Sequence, residues 1–152
     1  MKNILLIFLL GSLSINAQIY EYKTVTTVES LIQSGLGRSR MIAETENVDY
    51  QYATTIRREV DGKTKKEKSK AKRSEIRTKA FEETKLLNFY NVGGIRFNNI
   101  ATNDAMVTAK MNALAVEGWE LAFMATGVES ADKEPDAIFI TRYVFRRLKS
   151  SE

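Results

Sequence analysis

The chain alternates between apolar and polar residues in three stretches, and this period of two predicts three β-strands. The first stretch, Ile19–Glu29, is rich in Tyr, Thr and Val, which favour strands. The second is Trp119–Ala125 and the third is Ala137–Arg147, and the polar loop 129–136 between them predicts a hairpin. In the second strand, the expected faces are Trp119, Leu121, Phe123 and Ala125 against Glu120, Ala122 and Met124.

A helix is predicted directly before the second of these strands. Val107, Met111 and Leu114 recur at helical spacing, with alanines between them. The segment Thr102–Asp104 offers side chains that can cap a first turn, and Gly118 can adopt the positive φ that ends a helix. The pattern therefore predicts a helix between these two signals, followed at once by a strand.

Two more strands complete the predicted order. Arg38–Thr45 and Lys85–Val92 are expected to be extended, whereas the residues 47–60 fit neither period well. The elements then follow the order strand, strand, basic insertion, strand, helix, strand, strand. This order favours one antiparallel sheet of about four to five strands, with one main helix covering a face. We therefore predict a single α+β domain over residues 18–149.

The first seventeen residues have the features of a secretory signal peptide. Lys2 precedes the apolar run Ile4–Leu10, and Ala17 is a small residue at the expected cleavage point, with Ser14 as the alternative. The apolar run is shorter than the roughly 18 to 20 residues that a transmembrane helix needs. The protein is therefore predicted to be exported to the periplasm or the extracellular space, and to be soluble there without a membrane span.

The positive charge of the chain is concentrated in one segment. The whole chain has 23 basic and 19 acidic residues, a formal net charge of +4. The stretch Lys63–Lys79 alone holds nine basic residues and two acidic ones, so the rest of the domain is mildly acidic. The stretch has almost no apolar side chains to pack on a core, and blocks of like charge usually stay solvated. We predict a mobile basic insertion over 61–84 that opens with a turn at Asp61–Gly62.

Two pieces of the sequence resemble a known type of small bacterial domain. Tyr20–Lys23 is similar to the YEYK-type first strand of an uncharacterised family of domains of unknown function, and Asn112–Leu121 to its NxLxxxGWEL-type junction between helix and strand. Where the family usually has a glycine, this chain has Ala115 or Val116. The resemblance implies a fold and no activity, because the family has no established chemistry. On physical grounds the junction places Trp119 under the helix as a large core side chain.

The composition excludes several kinds of chemistry. With no His and no Cys, the chain has no imidazole base, no thiolate nucleophile, no Cys/His zinc site and no disulfide. Gly35–Gly37 begins like a dinucleotide-binding loop, but Arg40 takes the place of the third glycine. The four acidic residues of 129–136 are more typical of a polar hairpin loop than of a calcium site. We therefore expect no enzyme activity, no catalytic residue, no cofactor and no metal.

Two functions from different classes remain. The first is an exported, non-catalytic protein-interaction or structural module of the cell envelope, which contacts another protein or a copy of itself. The alternative is a binder of anionic polymers or surfaces through the basic insertion, since lysine-rich segments bind polyanions by releasing counterions. A charged loop that is only solvated stays open beside both. The candidate anion-binding residues are Arg38, Arg40, Lys63, Lys65, Lys66, Lys68, Lys70, Lys72 and Arg73.

Overall fold

The described part of the chain is α+β, as the residue pattern predicts. A computed structural model describes residues 18–32, 38–44, 47–130 and 137–149. Within these ranges, five strands form one antiparallel sheet and one long helix packs on it. The predicted signal peptide, the loop Gly35–Gly37 and the acidic loop residues 131–136 lie outside the described residues.

The described chain contains nine strands and two helices. In chain order they are β1 (Tyr20–Ser30), β2 (Arg40–Glu44), α1 (Tyr50–Ala53), β3 (Ile56–Val60), β4 (Lys63–Glu67), β5 (Phe81–Lys85), β6 (Tyr90–Asn91), β7 (Gly94–Ile95), α2 (Phe97–Val116), β8 (Glu120–Ser130) and β9 (Ala137–Leu148). The five-stranded sheet has the order β5-β2-β1-β9-β8, and all neighbours are antiparallel. β3 pairs with β4, and β6 with β7, as two separate hairpins.

The core lies between α2 and the strands β1, β2 and β9. Its buried apolar side chains and those packed against them are Val25, Met41, Ala43, Leu86, Val107, Met111, Leu114, Trp119, Tyr143 and Phe145. The helical stripe predicted from Val107, Met111 and Leu114 is therefore confirmed. The predicted burial of Trp119 is confirmed as well, since this side chain is only 7% exposed. Among the described residues, no helix is both long and apolar enough to span a membrane.

The predicted start of α2 is wrong, because Asn103 of the expected cap makes a tertiary contact instead. The helix begins at Phe97, with Arg96 at the N-cap position, rather than near Thr102–Asp104. Asn103 lies inside the helix and is 1% exposed. Its amide accepts a hydrogen bond from the Leu87 N–H and donates one to the Leu87 carbonyl, both at 2.8 Å. A buried tertiary contact therefore uses the side chain that the local pattern assigns to a cap.

The same contact explains why the predicted strand Lys85–Val92 is mostly absent. The strand β5 ends at Lys85, and only two residues of the predicted stretch form the short β6. The backbone groups of Leu87 bind Asn103 of the helix instead of a neighbouring strand. Asn99 likewise donates to the Asn88 carbonyl at 2.7 Å. The segment after β5 is thus a loop whose polar groups are satisfied by α2.

The predicted limits of the basic insertion also differ from the structure. Phe81–Lys85 forms β5 and pairs with β2 inside the main sheet, so the insertion ends before Phe81. On the other side, Lys63–Glu67 is a strand paired with Ile56–Val60, so the inserted unit begins before Asp61. The predicted limits are wrong because a high density of charge does not prevent regular backbone pairing. A two-stranded hairpin forms its hydrogen bonds without any apolar face.

A β-bulge changes the faces predicted for β8. Leu121 lies opposite Phe145, whereas Phe123 lies opposite Val144, so one extra residue stands between them on β8. Leu121 therefore shares the helix side of the sheet with Met124, and Phe123 lies on the other side with Ala125. The strict alternation predicted for this strand is wrong at the bulge. The predicted hairpin of β8 with β9 is confirmed.

The side of the sheet that faces away from α2 is the open face. Its positions alternate with the buried ones along β1 and β9, as the strand period requires. Several apolar side chains on it are more than half exposed: Tyr22 at 62%, Phe123 at 57% and Leu148 at 54%. The apolar alternation seen in the sequence of β1 and β9 therefore supplies both the core and an apolar outer surface.

Candidate functional site

The residues 49–79 form a small unit between β2 and β5 that we call the basic lobe. The lobe consists of α1, the hairpin of β3 and β4, and the loop 68–79, and it holds eleven basic and five acidic residues. The predicted turn is confirmed, since Asp61 and Gly62 have φ angles of 54° and 68°. Positive φ at both positions is the type I′ geometry of a two-residue hairpin turn. The turn therefore closes a hairpin rather than opening an irregular loop.

The hairpin places like charges opposite each other. Arg57 lies directly opposite Lys66, and Arg58 lies directly opposite Lys65. All ten residues of the two strands are exposed. Like charges at opposite positions destabilise a strand pair, and no apolar packing offsets the repulsion here. A bound anion that reaches both strands would remove this repulsion.

Hydrogen bonds hold the loop of the lobe against α1. The Ser69 hydroxyl donates to the Tyr52 carbonyl at 2.7 Å, and the Tyr52 hydroxyl donates to the Glu75 carboxylate at 3.0 Å. The same carboxylate accepts from the backbone N–H of Lys72 at 2.9 Å. The hydrogen bond to Glu75 raises the pKa of the Tyr52 hydroxyl, because ionisation would remove the donated proton, and the negative charge of Glu75 raises it further. The lobe is therefore organised by polar bonds, with its lysines exposed at the surface.

Nine cations of the lobe, from Arg57 to Arg73, have no carboxylate within ion-pair distance among the described residues. Five ion pairs lie on the body of the domain: Lys23–Glu117, Arg40–Glu83, Lys110–Glu82, Arg146–Glu120 and Arg147–Glu21. None of the nine cations from Arg57 to Arg73 takes part in them. An uncompensated cluster of this kind produces a local positive potential that attracts anions.

The structure brings seven of the nine candidate residues together in the lobe. These seven are exposed and belong to β4 or to the loop after it: Lys63, Lys65, Lys66, Lys68, Lys70, Lys72 and Arg73. The other two, Arg38 and Arg40, lie elsewhere. The chain leaves the sheet for the lobe at the Glu44 end of β2, and Arg40 is at the opposite end of that strand, about 13 Å away. Arg40 also donates to the Glu83 carboxylate at 2.6 Å, so its charge is compensated.

Two cations of the site were missed in the sequence. Arg57 and Arg58 belong to the segment 47–60, which fits no period well because all side chains of β3 are exposed. A usable signal is present in the Asp61–Gly62 pair, since Asp-Gly between two short runs is a strong indication of a hairpin. If the residues before Asp61 are paired with the residues after Gly62, both arginines lie opposite lysines.

A second feature is a cleft of about 420 Å³ beside the end of α2, lined in part by Leu114 and Trp119. The Lys23 ammonium lies 4.8 Å and the Arg147 guanidinium 4.4 Å from the centroid of the Trp119 ring. The indole Nε1 is buried and has no hydrogen-bond partner among the described residues. Each cation of the cleft also has a carboxylate within 4 Å, so the charges compensate each other. The cleft therefore does not favour an anion as the basic lobe does.

No group of three or more acidic side chains within the described residues could hold a metal ion. The acidic loop considered for calcium lies largely outside them, since residues 131–136 are not described. Comparison of the chain with models of protein families, with curated proteins and with solved structures gave no match. The resemblance to the YEYK-type family stays a prediction, and the function has to be argued from the geometry of this chain.

Proposed function

We propose that the protein is an exported, non-catalytic module that binds anionic polymers at the cell envelope through its basic lobe. The signal-peptide pattern of residues 1–17 supports export, and the lack of His and Cys supports a binding role rather than a chemical one. One observation carries the proposal: Arg57 faces Lys66 and Arg58 faces Lys65, and none of the four has a carboxylate partner in the part of the chain that the structure describes.

The geometry of the hairpin suits a ligand whose charges repeat along a chain. Arg58 and Lys65 are opposite each other, and Lys63 follows two residues from Lys65 on the same face. Alternate residues of a strand are about 7 Å apart, so these cations form a row along which a flexible polyanion can place successive anionic groups. The two hairpin strands hold no aromatic residue for stacking on bases, so this row of cations recognises charge rather than base sequence.

The second candidate is the protein contact that the sequence analysis places first. It is favoured by the apolar residues of β8, which are exposed on an edge of the sheet. The polyanion proposal now comes before it, because like charges facing each other without compensation are a specific electrostatic feature. An exposed apolar residue alone is common on protein surfaces.

The proposal is tested by heparin binding of the purified protein, expressed from the full chain, across a series of salt concentrations. Several captured sulfates release counterions, so we expect a log–log slope of affinity against salt of roughly −3 or steeper. The variant Lys65→Glu/Lys66→Glu places carboxylates opposite both arginines. It should make the slope shallower by about 2 while leaving the free energy of unfolding unchanged or higher, since opposite charges now face each other.

The matched control is Lys85→Glu/Lys149→Glu, which makes the same change of net charge at two exposed lysines outside the lobe. It should leave the slope close to that of the unchanged protein. Equal changes in both variants would show that net charge, and not the lobe, governs binding. A slope near zero in the unchanged protein would refute the polyanion function itself.

A further inference from the structure

We infer that β8 pairs edge to edge with β8 of a second copy of this chain, about a two-fold axis at Ala125. The two five-stranded sheets then form one antiparallel sheet of ten strands. The inference gives the second candidate function its partner and rests on it. It is independent of the polyanion proposal, because the basic lobe and β8 share no residue.

The edge formed by β8 is long and carries no charge over most of its length. The run Leu121–Val128 contains no charged residue and no proline. The strand is the last of the sheet, so its outer N–H and C=O groups have no strand partner within the described chain. Such an edge is a template for pairing with another strand, and folded proteins usually protect it with charges, proline or a short length.

The side chains of this edge are also exposed on both sides of the sheet. On the open face, Phe123 is 57% exposed; on the helix side, Leu121, Met124 and Val128 are 44%, 59% and 57% exposed. The helix side of β8 is exposed because α2 covers β1, β2 and β9 and does not extend over this strand. A second copy placed along β8 would cover apolar side chains on both sides of the sheet. Burial of these side chains would stabilise the pair in addition to the backbone hydrogen bonds between the two strands.

The opposite edge of the sheet has the protection that β8 lacks. β5 is only five residues long and carries Glu82, Glu83 and Lys85. Both carboxylates are held in ion pairs, with Lys110 at 2.8 Å and with Arg40 at 2.6 Å. A second copy can therefore add at β8 and not at β5. Pairing of β8 with itself is isologous, so it closes at two copies and does not continue into a fibre.

The register follows from the faces of the strand. The ladder with β9 places Phe123, Ala125 and Gly127 on the open face, with Met124 and Thr126 on the helix side. Opposite residues of an antiparallel pair lie on the same face of the sheet. A two-fold axis between two residues would set each of them opposite the other, although neighbours on a strand lie on opposite faces. The axis must therefore lie at one residue, which is then opposite itself in the second copy. Both helices of the pair then lie on the same side of the joined sheet.

An axis at Ala125 gives the best side-chain pairs. It sets Met124 opposite Thr126 of the second copy, and Phe123 opposite Gly127, where the aromatic ring can cover the bare glycine. No charged residue lies in this five-residue ladder. An axis one residue further along would set Ala125 opposite Gly127 and leave the glycine without an aromatic partner.

A cysteine on the proposed axis tests the register directly. The chain has no cysteine, and Ala125→Cys sets two thiols opposite each other with Cα atoms about 4.5–5.5 Å apart, within the range of a disulfide. We expect mild oxidation to link most of this variant into a species of twice the chain mass. The control Ala109→Cys, exposed on α2, should stay unlinked at the same concentration. Equal linking of both variants, or none of Ala125→Cys, overturns the inference.

Sedimentation of the protein purified from the full chain, without any polyanion, supplies the second test. The unchanged protein should show twice the chain mass, and Met124→Lys should weaken self-association about tenfold or more, because two like charges meet beside the axis. Val116→Lys, at a residue that is 90% exposed on α2, is the matched control and should leave the association unchanged.

Mixing Met124→Lys with Met124→Glu should restore the pair, since the two side chains lie diagonally across the axis within reach of each other. Restoration also shows that both variants are folded. A monomer at every concentration of the unchanged protein, or association unaffected by Met124→Lys, removes the second copy as the partner of β8. Failure of the mixture to associate overturns the axis at Ala125. The basic lobe is tested separately, by the difference in salt dependence between Lys65→Glu/Lys66→Glu and its control, whether or not the protein forms a pair.

Discussion

At the scale of single residues, one buried amide links three parts of the fold. Asn103 of α2 binds both backbone groups of Leu87 at 2.8 Å and donates to the Glu29 carboxylate of β1 at 3.0 Å. Partial burial raises the pKa of Glu29; the hydrogen bond from Asn103 lowers it in part, and the charge of Asp104 raises it further. The net result is a carboxyl group that is harder to ionise in the folded protein than in the unfolded chain.

We predict from this that Glu29→Gln stabilises the protein at neutral pH. The folded-state pKa of Glu29 lies above 4.5, so the folded state binds its proton more tightly, and its ionisation lowers stability as the pH rises through the folded pKa. Glutamine removes that titration and keeps an oxygen that accepts from Asn103. Urea unfolding at several pH values should give equal stability of both proteins below pH 4.5 and a more stable variant at neutral pH. A difference that does not change with pH would contradict this account.

At the scale of elements, the end of α2 is a Schellman motif that connects the helix to the sheet. The backbone N–H of Trp119 donates to the Leu114 carbonyl, and that of Gly118 to the Ala115 carbonyl, both at 3.0 Å. Gly118 has a φ of 84°, the left-handed conformation that this motif requires. Leu114 and Trp119 then meet in the core, which is the apolar contact that accompanies the motif. The Gly-Trp junction therefore has a structural explanation that requires no ligand.

Gly118→Ala is predicted to lower the free energy of unfolding by about 1–2 kcal/mol, because an L-residue is strained at positive φ. An added Cβ would lie 3.5 Å from the Arg147 side chain, an ordinary contact, so the cost comes from the backbone. The control is Gly93→Ala, whose Cβ would also meet neighbours at 3.5 Å but whose φ is not in the left-handed region. Chemical unfolding should show a clear loss only for Gly118→Ala, and equal losses would refute the backbone explanation.

At the scale of the whole molecule, pairing through β8 would give the protein two basic lobes. The lobes are inserted beside β5, at the edge of the sheet opposite β8, so they lie toward the two outer ends of the joined sheet. Ten strands span on the order of 45 Å. A long polyanion can reach both lobes of one pair, whereas a short fragment occupies only one, and simultaneous contact raises the overall affinity.

We therefore predict that Met124→Lys weakens binding of long heparin chains by roughly 10-fold to 100-fold and leaves binding of short fragments nearly unchanged. The added lysine by itself would strengthen binding to a polyanion, so a loss of affinity must come from loss of the pair. Titration with heparin fragments of defined length at one salt concentration measures this. An affinity that falls equally for all lengths, or for none, would contradict a bivalent molecule.

Much of the fold could be predicted from the residue pattern, and little of the candidate site. The strand β1, the stripe of α2 and the hairpin of β8 and β9 have clear periods, because each packs one face on the core. Seven of the basic candidates were found by composition alone. The pairing of Arg57 and Arg58 with lysines could not be predicted from periodicity. All residues of β3 are exposed, so this strand has no alternation of apolar and polar residues that would indicate it.

By itself, the sequence determined the α+β class, the helix end at Gly118, the burial of Trp119 and the concentration of positive charge before β5. These features depend on residues close together in the chain, where periodicity and turn chemistry operate. Only the tertiary structure decided that Asn103 binds Leu87 and Glu29, that a bulge turns Phe123 to the open face, and that arginines face lysines in the lobe. Their partners are distant in the sequence or are chosen by strand register, and no local pattern records which groups the fold brings together.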